Sequence, residues 1–188
     1  MGCDIHMYVE YTYKDKLELY NKAIEKGETP KDTVFWRCFG SRINPGRNYS
    51  LFGILSKGVR SDNKKGFEPK GLPSYDNLGF YAMDDSRLFI TKNGDGDNEC
   101  TLETALDWQK RLNRKIYYNG QDKPTFVDNP DHHSHSWLTT KEFEKALRLY
   151  RAEEKCGSPV EYAALLAAMK SLEKSGHFVA RVVFWFDN

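Results

Sequence analysis

Cys3-Asp4-Ile5-His6-Met7-Tyr8-Val9-Glu10-Tyr11-Thr12-Tyr13 alternates with period two: Cys3, Ile5, Met7, Val9, Tyr11 and Tyr13 share one face, and Asp4, His6, Tyr8, Glu10 and Thr12 the other. That is the pattern of a β-strand. At the far end, His177 to Asn188 alternates again, with Phe178, Ala180, Val182, Phe184 and Phe186 opposite Val179, Arg181, Val183, Trp185 and Asp187. Apolar residues on both faces predict a central strand. Pairing it with the first strand places Asp4 and His6 inside the domain instead of on a frayed end. The fold class that follows is α+β: a single domain over 1–188 with a mainly antiparallel central sheet that includes both terminal strands, flanked by helices and long irregular loops.

Between the two strands, Lys14 to Lys26 carries Leu17, Leu19, Tyr20 and Ala23 at helical spacing and stops at Gly27, predicting a short surface helix. Thr33 to Phe39 reads as a second strand. The turn formers of 40–48 lead into a short apolar helix over Tyr49 to Leu55. Recurrent Gly and Pro make Ser61 to Asp85 irregular. Thr101 to Leu112 presents the helical stripe Leu102, Ala105, Leu106, Trp108 and Leu112. Asn119 to Trp137 reads as a further loop. Thr139-Thr140-Lys141-Glu142 and Ser158-Pro159-Val160-Glu161 have capping-box spacing, with Pro159 expected at the first helical position and Gly176 closing the second helix.

The 188 residues include 28 Lys plus Arg and 27 Asp plus Glu, a net charge of +1, so no whole-molecule field attracts extended nucleic acid or an anionic membrane. No apolar run approaches the roughly 20 residues that span a bilayer. Met1-Gly2-Cys3 resembles an acylation start, but His6 stands where that signal needs Ser or Thr. Cys3, Cys38, Cys100 and Cys156 lie far apart without a C-x-x-C pair, which argues against a four-thiolate zinc site and, with no secretory segment before the first strand, leads us to expect reduced thiols in a cytoplasm. No P-loop, G-x-G-x-x-G or G-x-S-x-G occurs. Asp95-Gly96-Asp97-Asn98-Glu99 lacks the spacing of a calcium loop and reads as a polar turn.

Asp4 and His6, two apart on a strand, point to one side about 6–7 Å from each other, near enough to share a proton path, a phosphate or a metal. Asp131-His132-His133-Ser134-His135-Ser136-Trp137 gathers three of the five histidines, the side chain that titrates near neutrality and ligates zinc most often. Arg42, Arg47 and Arg60, with Lys57 beside them, predict a local cationic pocket suited to phosphate, and Tyr8, Tyr49, Tyr75 and Trp137 are rings on which a base can stack. Each feature has a plainer reading: a strand-face histidine, a solvated His-rich turn, ordinary surface arginines, core aromatics.

Met1-Gly2-Cys3-Asp4-Ile5-His6, Arg47-Asn48-Tyr49-Ser50-Leu51-Phe52, Val59-Arg60, Gly71-Leu72-Pro73, His133-Ser134-His135-Ser136-Trp137-Leu138 and the ending Val182-Val183-Phe184-Trp185-Phe186-Asp187-Asn188 resemble a family of small bacteriophage and prophage proteins that open with MGCDIH. The family has no assigned activity, so the resemblance implies an origin and not a reaction. It marks Asp4, His6, Arg47, Asn48, Tyr49, Arg60, His133, Ser134 and Asp187 as the polar positions of the shared motifs. Ser74-Tyr75-Asp76 departs from the family's more acidic version.

Together these readings lead us to expect a nucleotide-directed hydrolase of the phosphodiesterase type, encoded by a phage and acting in the host cytosol on an immune nucleotide signal. His6 and His133 exchange protons with the attacking and leaving oxygens, Asp4 orients His6, and Arg47, Asn48, Tyr49, Arg60, Ser134 and Trp137 bind substrate. With a divalent metal such as zinc, Asp4, His6 and His133 become its ligands. The expected partner is a small nucleotide, and homo-oligomerisation is left open. The alternatives are a protein that sequesters the nucleotide without turnover and one that blocks a host enzyme by direct binding.

Overall fold

A computed structural model of the chain describes residues 2–31, 34–61, 65–73, 78–118 and 123–187. In order, the elements are β1 (Asp4–Tyr13), α1 (Lys14–Glu25), β2 (Arg37–Cys38), α2 (Tyr49–Leu55), α3 (Phe80–Asp85), β3 (Arg87–Ile90), β4 (Glu99–Cys100), α4 (Leu102–Leu112), β5 (Ile116–Tyr118), β6 (Pro124–Asp128), β7 (His133–Thr139), α5 (Thr140–Glu154), α6 (Val160–Glu173) and β8 (Phe178–Asp187). They form an α+β fold with two four-stranded sheets, ordered β2-β1-β8-β7 and β4-β3-β6-β5.

The first and last strands pair antiparallel over their whole length, from Asp4 opposite Asp187 to Tyr13 opposite Phe178. Directly opposed residues lie on the same side of a sheet, so this register sorts both strands into two shared faces. Ile5, Met7 and Val9 join Val182, Phe184 and Phe186 on one face, covered by Leu51, Phe52 and Leu55 of α2, Phe143 and Leu147 of α5, and Tyr162, Leu165 and Met169 of α6. Each such side chain contributes about 1.5–3 kcal/mol when fully buried. The other face carries Tyr8, Val183 and Trp185 under Leu78 and Ala82. The third cluster, Leu88, Cys100, Ala105, Ile116 and Val127, belongs to the second sheet and α4.

Local rules account for the helix starts. Thr139 and Glu142 form the expected capping box at α5. At α6 the expectation fails: Pro159, at φ −56 and ψ 139, is the cap residue instead of the first helical one, and no side chain caps the end. Helix α6 therefore begins at Val160, and Ser158 stands one residue too early to reach the first amides. Gly176, at φ 75, turns the chain into β8. Helix α1 buries no residue, as its surface reading predicts.

Three other expectations need correction. The second strand contracts to Arg37–Cys38, and Thr33 lies outside the described residues. The Ser61 to Asp85 stretch ends in α3. The loop predicted over Asn119 to Trp137, of which Asn119 also lies outside the described residues, contains β6 and most of β7. The second sheet, with strands of two to five residues, offers too few alternations to stand out in the sequence.

On the second face, Arg181 and Glu10 form an ion pair with side-chain exposures of 4% and 0%. Arg181 donates from Nε and Nη2 to Glu10 Oε2 at 2.9 and 2.8 Å, while Gly79 N–H donates to Oε1 at 2.7 Å. A Cβ at Gly79 would stand 2.5 Å from that oxygen, so only glycine brings the amide this close. Among the described residues no helix is long and apolar enough to cross a membrane.

Removing one partner of this pair leaves a buried charge uncompensated. Glu10→Ala is expected to lower stability by about 3–5 kcal/mol in urea unfolding, whereas the double change Glu10→Leu with Arg181→Met recovers most of that loss. Equal destabilisation by the single and double variants would contradict the pair's role.

Candidate functional site

The end of the sheet where β1 begins and β8 finishes collects polar groups. The register sets Asp4 beside Asp187 and His6 beside Trp185, α3 ends by delivering Asp85, and the chain entering β7 brings His132. His6, 7% exposed, is held from both sides: Nδ1 lies 3.0 Å from Asp85 Oδ2 and Nε2 2.9 Å from Asp187 Oδ2. Tyr8 donates its hydroxyl to the same Asp85 oxygen at 2.7 Å.

This geometry fixes the proton count. Burial pushes Asp85 up, but its bonds to His6 and Tyr8 outweigh that and bring it down to about 2. Asp187 is likewise net lowered: burial raises it, and the His6 bond and the Asp4 N–H, at 3.0 Å, more than offset the rise. Both carboxylates are ionised and can only accept, so both His6 nitrogens must donate. Below its raised pKa the ring is an imidazolium that donates to both carboxylates. Burial by itself lowers the His6 pKa, and the Asp85 and Asp187 hydrogen bonds overcome it and raise it above 6.5. Arg42 Nη1, 3.2 Å from His6 Nδ1, cannot bond a ring nitrogen that is itself donating; its partner is Asp85 Oδ1 at 3.4 Å.

The imidazole that meets His6 is His132, not His133. Their ring centroids are 4.8 Å apart, and both rings lie against Trp185, at 5.8 and 5.6 Å. His135 packs on Trp185 as well, at 5.7 Å. His133 stands opposite Phe186 and stacks on it at 6.0 Å, on the face covered by the helices. A β-bulge causes this division. Between His133 and Ser136 the strand holds one residue more than β8, and Ser134 takes φ 51. The extra residue inverts the alternation, so that His133 and His135, of equal parity, face opposite sides. The proposed exchange of protons between His6 and His133 is therefore corrected to a pairing of His6 with His132.

The two rings differ in charge. Burial first, then the His6 charge, brings His132 down to about 3, and burial brings His135 down to about 4. Both are neutral at pH 7. His132 Nδ1 is buried with no hydrogen-bond partner among the described residues. Arg114 Nη2 fixes the backbone here by donating to the carbonyls of Pro130 and His132 at 2.9 and 3.2 Å.

The other expected site residues have varied fates. Asp4 does not orient His6: it takes a bidentate bond from Arg47, at 2.6 and 2.9 Å, which lowers its pKa. A side chain on Gly2 would collide with that guanidinium. Arg60 donates to the Gly2 carbonyl at 3.1 Å and lies 5.8 Å over the Tyr49 ring, so these motifs do meet at the start of β1. Asn48 caps α2, accepting from Leu51 N–H, and donates to Tyr150 at 2.9 Å, a structural role. Ser134 forms the bulge and contacts His133 Nδ1 at 3.0 Å. Trp137 lies further along β7, under Lys70 at 4.0 Å.

The cationic pocket is largely neutralised, with Arg47 on Asp4, Arg42 on Asp85 and Lys57 on Glu68. Asp4, His6 and His133 do not converge on a metal position, because their polar atoms or rings are engaged on different partners; no group of three metal-ligating side chains occurs among the described residues. Tyr75 and Asp76 lie outside them. Sequence reasoning passed over Asp85, and over His132 in favour of His133. Nothing in the sequence marks Asp85 as a partner 79 positions from His6.

Set beside known protein families, curated proteins and solved structures, the chain matches none.

These protonation states make stability depend on pH in both directions. His6, raised in the folded state, contributes stability that is complete below 6.5 and is lost as pH rises through its folded value. His132 and His135, lowered, resist protonation in the fold while the unfolded chain accepts protons, so stability falls as pH drops from 6.5 towards about 3 and 4. Thermal unfolding is expected to show a maximum near pH 6.5, and His132→Phe should flatten its acid side. An acid side unchanged in that variant would show that His132 is not held neutral.

Proposed function

We propose that the His6 and His132 pair is the acid–base centre of a nucleotide-directed hydrolase of the phosphodiesterase type, acting in the cytosol of a phage-infected host on a nucleotide signal. One observation carries this reading: two imidazoles 4.8 Å apart whose surroundings push their protonation in opposite directions. Splitting the pKa values of neighbouring groups is how a site holds an acid and a base at one pH. His6 enters as the proton donor to a leaving oxygen, and the neutral His132 ring as the acceptor for an attacking water or hydroxyl. Arg47 serves the phosphate. Its bond to Asp4 joins side chains that are 53% and 47% exposed, a pair that solvent and salt screen, so an anion can take the guanidinium. The phage setting rests on the motif resemblance and is an argument by association.

A second reading is favoured by a separate observation. Both His6 N–H groups are committed to carboxylates, which suits a ring that shapes a binding surface more than one that releases protons. In that case the protein sequesters its nucleotide without turnover.

Incubation with a panel of cyclic and linear nucleotides, followed by denaturation and chromatography, separates the two. Hydrolysis is expected, with His132→Ala reducing it by about 10²–10⁴-fold and His133→Ala leaving it near wild type. Tight binding with intact nucleotide recovered selects sequestration, and absence of binding rejects both. Equal losses in the two variants would remove the assignment of His132.

A further inference from the structure

We propose that the Asp187 carboxylate fills, as a built-in ligand, an oxyanion site formed by His6 Nε2–H and the Asp4 backbone N–H, and that a phosphate group binds there by displacing it. The ligand is that of the nucleotide reading, on which this inference rests. Release of Asp187 frees the His6 N–H that both forms of that reading need.

The two carboxylates on His6 are held unequally. Asp85 Oδ2 accepts from His6 Nδ1 at 3.0 Å and from the Tyr8 hydroxyl at 2.7 Å, and Arg42 Nη1 lies 3.4 Å from its Oδ1. Among the described residues Asp187 has two donors: His6 Nε2 at 2.9 Å on Oδ2 and Asp4 N–H at 3.0 Å on Oδ1. Its side chain is 32% exposed against 22% for Asp85. Strand β7 pairs with β8 only as far as Phe186, one residue short of Asp187. Rotation about χ1 therefore turns the Asp187 carboxylate out into water, while Asp85 stays with Tyr8 and Arg42.

The position it vacates selects its guest. One ring N–H and one backbone N–H each point at a separate oxygen of a single group, the donor set that oxyanions take. Exposed guanidiniums stand at the rim, Arg47 at 53% on the Asp4 side chain and Arg42 at 43% on Asp85. A phosphate monoester carries about −1.5 to −2 at pH 7 and has three acceptor oxygens, so it gains more from these cations than a singly charged carboxylate does. The built-in ligand weakens binding in proportion to its occupancy. If Asp187 fills the position about nine-tenths of the time, phosphate binds roughly tenfold more weakly than it would to the empty site.

The test is a titration of ¹⁵N-labelled protein with inorganic phosphate, and with acetate for comparison, at fixed ionic strength and a fixed pH of 6.5, where the raised pKa keeps His6 protonated. The His6 ring nitrogens are the readout. We expect phosphate to displace the Nε2 resonance saturably in the wild type, and acetate to do so more weakly. Asp187→Ala and the near-isosteric Asp187→Asn should reach the same displacement at about tenfold lower phosphate. Asp85→Asn removes an equal charge but leaves Asp187 in place, and should give no such gain. Absence of a wild-type response overturns the proposal, even where the Asp187 variants respond, because the variants then bind phosphate only in an engineered hole. Equal affinity in all forms, an equal gain in Asp85→Asn, or a stronger response to acetate also overturns it. Phosphate binding in the expected pattern without nucleotide hydrolysis upholds the site and rejects the hydrolase; hydrolysis with no phosphate response at Nε2 does the reverse.

Discussion

The antiparallel pairing of the first strand with the last is the constraint on which the other parts of the structure depend. It joins residues from 165 positions apart, Tyr13 and Phe178, to 183 apart, Asp4 and Asp187, so its loop-closure cost is met only when both faces of the pair are covered. One face is covered by α2, α5 and α6, which build the main apolar cluster around Phe184 and Phe186. The other is covered thinly, by α3 and the chain before it. Polar groups can survive on that second face because each is given a partner: Arg181 for Glu10, Asp85 and Asp187 for His6. Unpaired, each would carry a desolvation cost of several kcal/mol.

The same register makes the site. With Asp4 opposite Asp187 and His6 opposite Trp185, the two ends of the chain contribute the two sides of one cluster. Asp187 bonds both the His6 ring and the Asp4 backbone N–H. A shift of one residue would turn His6 into the apolar face and abolish the cluster. The candidate site and the fold therefore share one determinant: the terminal strands that carry the core also carry His6.

The bulge at Ser134 makes a second, finer choice. Without it, His133 and His135 would face the same side; with it, His132 and His135 reach Trp185 and His133 goes to Phe186. A serine at φ 51 is uncommon and is held there by the strands around it. The difference between a charged and a neutral imidazole then follows from what each ring faces: His6 looks at two carboxylates, and His132 looks at His6 and an indole.

The sequence by itself determined the period-two pattern of both terminal strands, hence the α+β class, the central sheet and the shared polar face of Asp4, His6, Tyr8 and Glu10, because alternation is a local property that side-chain chemistry writes directly. It also marked the capping box at Thr139, whereas the meeting of the Gly2, Arg47 and Arg60 motifs was decided by the fold. Tertiary structure alone decided which groups His6 touches. Asp85 arrives from a six-residue helix whose placement depends on packing over Trp185, and the histidine that pairs with His6 depends on one inserted residue whose backbone angle no side chain announces. Partners fixed by long-range packing and by a bulge leave no periodic trace, so the site's chemistry became legible only when the sheet was assembled.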